Sequence, residues 1–410
     1  RELKNFEVLN KQINNYFLIL FSLLPITIII GSTASLLNVL IIDFSFILLI
    51  LSLKDYDFLK TRPIKYLILL YFYLIFNSII SIDYEVGLAR NLGFLRIIVL
   101  FAAFNYFFNQ RLFLRNVFYV WSLVISIVIF DVFWESLMGH NIFGFGGGQY
   151  GKRIVSFFKD EPIVAGFING FYLIIIGFLL QEFFKKKSFI IIISIIFLMA
   201  IFLTGERSNS IKALIGFLIF FSIFKEYNFK IKLILFTSLF VIFITLILNS
   251  QFLKLRFVNQ TYKLFTSDFK YFKLYQSGFE VFKNHKLFGV GNKNYRVETC
   301  NLKASDKLTK KDYHCTTHPH QIYFELLSEH GILGTLLILF ILYRLVFSKI
   351  KELLKSGNYI QIGSYIYLCL TFLPLLPSGS FFNNFMITLF MINLSILYAT
   401  GDKLNIFKGR

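Results

Sequence analysis

Charged residues are few in this sequence, and they are unevenly distributed. Asp, Glu, Lys and Arg make up 16% of the 410 residues, whereas hydrophobic residues make up 56%. The charges stand between long apolar runs, while a soluble protein spreads them along amphipathic helices. This distribution excludes a soluble globular protein.

Apolar runs of roughly 17–25 residues recur along the chain, which is the length that crosses about 30 Å of hydrocarbon. They are found near 16–31, 35–53, 66–82, 93–109, 116–134, 161–180, 188–204, 208–224, 231–249, 320–343, 359–376 and 381–399. The runs predict an all-α polytopic membrane protein with about 12 transmembrane helices and a single membrane domain over residues 1–410. A second run follows the first at once, so the first predicts a retained helix rather than a cleaved signal peptide.

The basic residues of the short connections predict the orientation. In this scheme they all fall on one side, which the positive-inside rule assigns to the cytoplasm together with both termini. The other connections are then outward, at 32–34, 83–92, 135–160, 205–207, 250–319 and 377–380. Two of these are long enough to fold, namely the smaller loop 135–160 and the large, partly helical loop 250–319.

Acidic residues are scarcer still, with 23 Asp and Glu against 42 Lys and Arg. The net charge of +19 does not indicate nucleic-acid binding, because roughly half of the basic residues serve the topology. No two carboxylates have the spacing of a glycosidase pair or of an acidic metal motif. Few ionisable residues lie within the runs, which argues against an ion-coupled carrier.

The glycines between 144 and 151 are a possible phosphate loop. They lack the Gly-Lys-Ser/Thr ending and the strand that such a loop requires. A flexible turn at the membrane surface is therefore the preferred interpretation.

Cysteine is rare, and two of the three cysteines fall in the same outward loop. Thiols outside the cytoplasm tend to pair, so Cys300 and Cys315 are predicted to form a disulfide. Such a bridge over a loop of ~15 residues contributes on the order of 3 kcal/mol in the loop-entropy model. The alternative is zinc held with His314, His318 and His320, although this spacing fits no standard Cys/His site.

The segment His318-Pro319-His320 is the candidate proton acceptor. Pro favours the first helical position, which predicts His318 at or beside the N-cap of a long helix. A helix N-terminus disfavours a positive imidazole, so His318 is expected to stay neutral near pH 7, and the same N–H groups can hold an anion. The alternative is that His318 only caps the helix. His320 and Glu325 are candidate supporting residues, and Glu325 is expected to pair with a basic residue.

Several arginines are predicted on the outer side. Arg207 lies in a tight turn between two runs, with Glu206 as its expected structural partner. Arg96 lies about one turn inside a run, where an ionisable group indicates function. The others are Arg90, Arg153, Arg256 and Arg296. Since the guanidinium fork suits diphosphate oxygens, these arginines and a neutral His indicate an anionic lipid head group as substrate.

Two blocks near the C-terminal end carry a family resemblance. Residues 287–296 read Leu-Phe-Gly-Val-Gly-Asn-Lys-Asn-Tyr-Arg, and residues 315–334 read Cys-Thr-Thr-His-Pro-His-Gln-Ile-Tyr-Phe-Glu-Leu-Leu-Ser-Glu-His-Gly-Ile-Leu-Gly. The stretch 287–334 resembles the C-terminal signature of the O-antigen ligase and polymerase superfamily. Weaker similarities follow the same order at 139–144, 153–166, 203–208 and 377–384, so the resemblance extends from about residue 90 onwards.

The resemblance implies a GT-C-like glycosyltransferase of the bacterial inner membrane with a large periplasmic loop. Such enzymes transfer a glycan from undecaprenyl diphosphate with inversion and without a metal or other cofactor. The implied partners are this lipid-linked donor, membrane lipids, and as acceptor either lipid A core (a ligase) or a second lipid-linked glycan (a polymerase). The ligase is preferred because the signatures are strongest among ligases. By this resemblance Arg207 binds the diphosphate and His318 activates the acceptor hydroxyl.

One departure from the family concerns a second essential arginine early in the long loop. The equivalent stretch 268–275 reads Asp-Phe-Lys-Tyr-Phe-Lys-Leu-Tyr and contains no Arg. The candidates to replace it are Arg256, Lys270, Lys273, Arg153 and Arg296. A lipid-linked-glycan flippase or exporter is the alternative of another class, and it explains the helices and the arginines but not a neutral His beside a structured loop.

Overall fold

The structure is a computed structural model that describes residues 2–147, 153–159, 161–262, 270–300 and 313–408. Gly148, Gly151, Asp268 and the side chain of Lys270 lie outside this description. The helices are Glu2–Ser22, Leu24–Ile30, Ser32–Leu53, Arg62–Ile79, Tyr84–Leu92, Leu95–Phe107, Arg111–Met138, Val164–Glu182, Lys187–Leu203, Arg207–Ile223, Phe229–Asn249, Gln251–Leu253, Lys270–Asn284, Tyr295–Cys300, Ile322–Leu345, Ile350–Ser356, Tyr359–Thr371 and Asn384–Ala399. No strand forms within the described ranges, so the all-α prediction is confirmed.

Eight helical stretches among the described residues are long and apolar enough to cross a membrane. They are Lys11–Ile30, Ser32–Leu53, Tyr84–Phe107, Arg111–Met138, Val164–Glu182, Phe184–Leu203, Phe229–Asn249 and Ile322–Ser356. The remaining predicted spans are also helical, as Arg62–Ile79, Arg207–Ile223, Tyr359–Thr371 and the shorter apolar helix Asn384–Ala399. The count of twelve therefore stays a prediction, because these four are shorter or less apolar than the other eight.

Val164–Glu182 is the central helix of the bundle. In its most apolar stretch of 18 residues, 83% of the residues are buried, whereas the corresponding value for the peripheral helix Phe229–Asn249 is 11%. Tyr359–Thr371 packs closely against it, because a Cβ at Gly177 or at Gly363 would collide with the backbone of the other helix. Small residues allow this close approach between apolar helices.

The connections predicted on the outer side lie together. Hydrogen bonds of 2.9 Å join them, from Asp83 N to Asn294 Oδ1, from Arg256 Nη2 to Gly205 O and from Ser378 N to His320 O. The basic connections are joined to each other as well, for example by Arg344 Nε and Tyr66 OH at 3.0 Å. The long loop therefore packs on one end of the bundle, together with the outer turns.

Candidate active site

The His-Pro-His segment lies in an irregular turn ahead of the long helix. The helix begins at Ile322, and Gln321 is its N-cap, with Oε1 accepting from two N–H groups of the first turn at 2.8 and 3.0 Å. The prediction that His318 stands at or beside the N-cap, with Pro319 first in the helix, is wrong. The physical reason is His320, whose φ of 58° is left-handed and keeps the chain out of helix until the extended Gln321.

His318 is nevertheless held in a defined orientation. Its Nε2 lies 3.3 Å from Ser378 O, and its Nδ1 lies 2.9 Å from Thr317 Oγ1. A carbonyl oxygen only accepts, so the neutral ring donates from Nε2 and accepts the Thr317 hydroxyl at Nδ1. Burial lowers the pKa of His318, against the opposing effects of the Glu325 carboxylate and the Ser378 bond. Desolvation, rather than a helix terminus, therefore favours the neutral imidazole.

The helix Lys270–Asn284 lies beside this turn. The ring of His320 is 4.1 Å from that of His318 and 6.5 Å from that of Tyr271. A Cβ at Gly278 would lie 2.9 Å from the Pro319 ring, so the missing side chain lets the helix approach the turn. The helical part predicted for the loop 250–319 is thus present as Lys270–Asn284, and it contacts the His turn.

Three arginines, Arg153, Arg207 and Arg256, form a cationic cluster near Tyr271. Arg256 donates from Nε and Nη2 to Gly205 O at 3.1 and 2.9 Å, which fixes its guanidinium against the turn that carries Arg207. Burial, together with the Arg153 and Arg207 cations, lowers the pKa of Arg256 to about 10. Cations that destabilise one another in this way make a site for an anion.

Glu206 does not act as the simple partner of Arg207 that the sequence suggested. Its Oε1 accepts from Ala165 N at 2.9 Å, and its Oε2 accepts from Asn209 Nδ2 at 2.8 Å. Burial raises the pKa of Glu206 to about 7, although these bonds and the Arg153 cation oppose the rise. Glu206 therefore ties the Arg207 turn to the first turn of Val164–Glu182.

A cavity of about 540 Å³ opens beside the cluster. Arg153 lies in its wall with the apolar side chains of Leu137, Met138, Leu203 and Phe252. The wall also contains Glu135, Ser136 and Ser250, so it is mixed in polarity. The volume is in the usual range for ligand sites, and a cation beside apolar side chains suits an amphiphile with an anionic head.

Glu325 is buried with a basic partner, as expected. Its Oε2 accepts from Phe381 N at 3.0 Å, its Oε1 accepts from Ser380 Oγ at 2.5 Å, and Lys293 Nζ lies 3.7 Å from Oε1. Lys293 also donates to the Ser380 hydroxyl. Lys293 and Ser380 were not predicted as site residues, and their one signal in the sequence is that both lie within segments of the family resemblance.

Arg96 and Arg296 stand apart from the three-arginine cluster. Arg96 donates to Gly93 O at 2.9 Å and to Asn384 Oδ1 at 2.8 Å, while Arg296 is exposed on the helix Tyr295–Cys300. No contact within the described residues joins either of them to Arg153, Arg207 or Arg256. Their assignment to a diphosphate site stays a prediction.

Cys300 and Cys315 are bonded, with Cα atoms 4.7 Å apart, as predicted. Their pairing removes both thiolates from the alternative zinc site. The bridge ties the helix Tyr295–Cys300 to the segment that leads into His318. Ser277 braces the same segment, because its hydroxyl accepts from His314 N at 2.8 Å.

Several residues of the segment 287–334 pack the loop against the helix Ile322–Leu345. Gly331 breaks the helix Ile322–Leu345 with φ 62° and ψ −168°. There the chain exchanges backbone bonds with the loop, from Ile332 N to Lys286 O (2.8 Å), Leu333 N to Leu287 O (3.1 Å), Val290 N to Ser328 O (2.9 Å) and Gly291 N to Glu329 O (2.9 Å). A Cβ at Gly289 or at Gly331 would collide with the opposing backbone. The glycines therefore allow the loop to dock on the helix, and the candidate chemical groups of this segment are the polar residues around His318.

Apolar helices joined at one end by a loop with a half-buried His and an arginine cluster define a multi-pass membrane protein with a candidate site at that end. The family model described as O-antigen ligase matches residues 192–339. This match supports the O-antigen ligase superfamily and, in broad terms, a glycan-transferring enzyme of the ligase and polymerase kind. The match includes Arg207, Arg256 and His318 but not Arg153. No curated protein matches the chain.

Proposed function

We propose that this protein is an inverting, metal-independent glycosyltransferase that moves a glycan from undecaprenyl diphosphate to an acceptor hydroxyl at the periplasmic face. The observation that carries the proposal is the position of His318: its ring lies beside that of His320, which faces Tyr271, and Tyr271 interacts with Arg207 and Arg256 of the arginine cluster. Among the enzymes of this kind we propose the O-antigen ligase, with lipid A core as acceptor.

In the proposed reaction the acceptor hydroxyl takes the place of the Thr317 hydroxyl at His318 Nδ1. The hydroxyl proton passes to Nδ1 as the oxygen forms a bond to the anomeric carbon from the face opposite the diphosphate. The bond between the anomeric carbon and the diphosphate oxygen breaks, and undecaprenyl diphosphate leaves with the electron pair. General-base catalysis of this kind contributes typically 10²–10⁴-fold.

The arginine cluster has the complementary role at the leaving group. Negative charge develops on the diphosphate in the transition state, and preorganised cations in a site of low dielectric stabilise it. Arg256 and Arg207 supply the charge that a divalent cation supplies in other transferases. The apolar side chains beside Arg153 would contact the first isoprene units of the lipid.

The test uses the full chain in lipid nanodiscs, with a lipid-linked repeat unit extracted from membranes and with lipid A core. His318→Ala is expected to lower transfer by about 10²–10⁴-fold with little change in KM for the donor. Full transfer by this variant would show that the base is assigned wrongly. Elongation of the repeat unit without lipid A core identifies a polymerase, and transport without transfer in proteoliposomes identifies a flippase.

A further inference from the structure

The outer turn at 378–381 contacts both histidines of the candidate site. Ser378 O faces Nε2 of His318 at 3.3 Å, and Ser378 N donates to His320 O at 2.9 Å. The turn is therefore placed to control how the His318 ring is held.

Two buried groups hold this turn in place. Glu325, whose side chain is 1% exposed, accepts both the Phe381 N–H and the Ser380 hydroxyl, so each carboxylate oxygen is bonded to the turn. Lys293 reaches the same hydroxyl from the loop side, and its Nζ lies 3.7 Å from the carboxylate. A buried charge pair of this kind keeps its geometry because separating the partners leaves a charge uncompensated.

The position of the Ser378 carbonyl decides which nitrogen of His318 carries the proton. A neutral imidazole has one N–H, and the hydrogen bond made by one nitrogen selects the tautomer. With Ser378 O at Nε2, the proton lies on Nε2, and the lone pair is at Nδ1 beside the exposed Thr317. If the turn shifted, both tautomers would form, and the basic nitrogen would not always face the acceptor.

We propose that Lys293, Glu325 and Ser380 are positioning residues that hold the Ser378 carbonyl against His318 Nε2 and so make Nδ1 the proton-accepting atom. This inference rests on the proposed function, in which His318 is the general base.

The two charged members act on His318 with opposite signs. The Glu325 carboxylate raises the pKa of His318, and the Lys293 ammonium lowers it. Among the described residues, the other titratable groups beside the ring are His320, at 4.1 Å between ring centres, and Tyr271, which lies beside His320. Glu329 interacts electrostatically with both Lys293 and Glu325. Neutralising Glu325 and neutralising Lys293 therefore move the acid limb of the pH–rate profile in opposite directions.

The experiment compares Glu325→Gln, Lys293→Gln and Ser380→Ala with wild type, in nanodiscs with the same extracted donor and lipid A core. Turnover is expected to fall by at least about tenfold, but by no more than the roughly 10²–10⁴-fold that the base itself contributes. KM for the donor is expected to change little. Neutral His318 is the active form, so Glu325→Gln is expected to shift the acid limb to lower pH and Lys293→Gln to higher pH. The opposite shifts follow from the two charges near the ring, and the loss of turnover in the uncharged Ser380→Ala variant tests the positioning role.

Ser328→Ala is the matched control, because its hydroxyl bonds to the backbone carbonyl of Glu325 and not to the turn. It is expected to keep wild-type turnover and the wild-type acid limb. If a charge variant does not fold, Ser380→Ala decides alone, and wild-type turnover by that variant overturns the proposal. Unmoved acid limbs in folded Glu325→Gln and Lys293→Gln overturn it as well. If either result overturns the positioning role, His318→Ala is still expected to be inactive. If instead the proposed function is wrong, His318→Ala is expected to stay active.

Discussion

His318 shows how burial sets the chemistry of a single side chain. The ring is desolvated among Pro, Ser and Thr neighbours, and its own hydrogen bonds leave one lone pair directed at Thr317. Loss of hydration disfavours the imidazolium, which is why the pKa of His318 lies below its ordinary value of 6.5. The residue is thus ready to accept a proton at neutral pH without help from a helix terminus.

The pH–rate profile follows from this shift. The neutral ring is active, so transfer is lost only as the pH falls through a pKa that is lower than 6.5. We expect kcat/KM for the acceptor to be constant around pH 7 and to reach half its maximum below pH 6.5. The profile of initial transfer rates in nanodiscs measures this, and a midpoint above that value would contradict the proposed base.

Arg256 offers a second prediction at this scale. Its Nε and Nη2 both donate to Gly205 O, a two-point contact that a lysine cannot reproduce. Arg256→Lys keeps the charge but releases the guanidinium from the Arg207 turn. We expect KM for the lipid-linked donor to rise by about tenfold, which corresponds to roughly 1.4 kcal/mol. Lys254→Gln, an exposed cation two residues earlier, is the control and is expected to leave this KM unchanged.

Sequence reasoning at the scale of residues succeeded where the partners are close in the chain or follow from general rules. The pairing of Cys300 with Cys315 followed from their shared compartment, and a basic partner for Glu325 followed from the cost of burying a charge. Lys293 and Ser380 were missed, because 32 and 55 residues separate them from Glu325. Nothing local marks such a contact.

The helix Ile322–Leu345 shows the same limit at the scale of elements. Its apolar run was evident from the sequence, but its break at Gly331 was not, since a glycine within a run is ordinarily tolerated. The break exists because the loop 286–291 bonds to the exposed backbone groups on both sides of it. The predicted start of the helix was likewise wrong. Pro319 is a strong helix-start signal, but the left-handed backbone of His320 prevents a helix from beginning there.

A pair of glycine substitutions separates crowding from backbone strain. Gly331 has φ 62° and would place a Cβ against the Leu287 and Phe288 backbone, whereas Gly357 has φ 65° with nothing within 4 Å. Gly357→Ala is therefore expected to cost about 1 kcal/mol, from strain alone. Gly331→Ala adds a backbone collision and is expected to prevent docking of the loop. Thermal unfolding and monomer yield in detergent measure both, and equal losses would contradict the docking argument.

The whole molecule has two ends with different chemistry. One end carries the lysine-rich short connections, and the other carries the loop 250–319, the arginine cluster and the disulfide. The sequence predicted this division from charge alone, and the hydrogen bonds within each set agree with it. The number of spans was harder to predict, because Arg62–Ile79, Arg207–Ile223 and Tyr359–Thr371 have short or less apolar sequences and depend on their neighbours for burial.

We propose that the site end lies outside the cytoplasm, on two independent physical arguments. Lysine-rich short connections are retained inside, and a disulfide persists in an oxidising compartment. Lys286→Cys on the site end and Lys186→Cys on the other end are both exposed positions, and each is introduced into a Cys369→Ser background. A membrane-impermeant maleimide added to intact spheroplasts is expected to label Lys286→Cys at once and Lys186→Cys only after lysis. The reverse pattern would place the arginine cluster in the cytoplasm, where a periplasmic acceptor does not reach it, and the proposed transfer would fail with it.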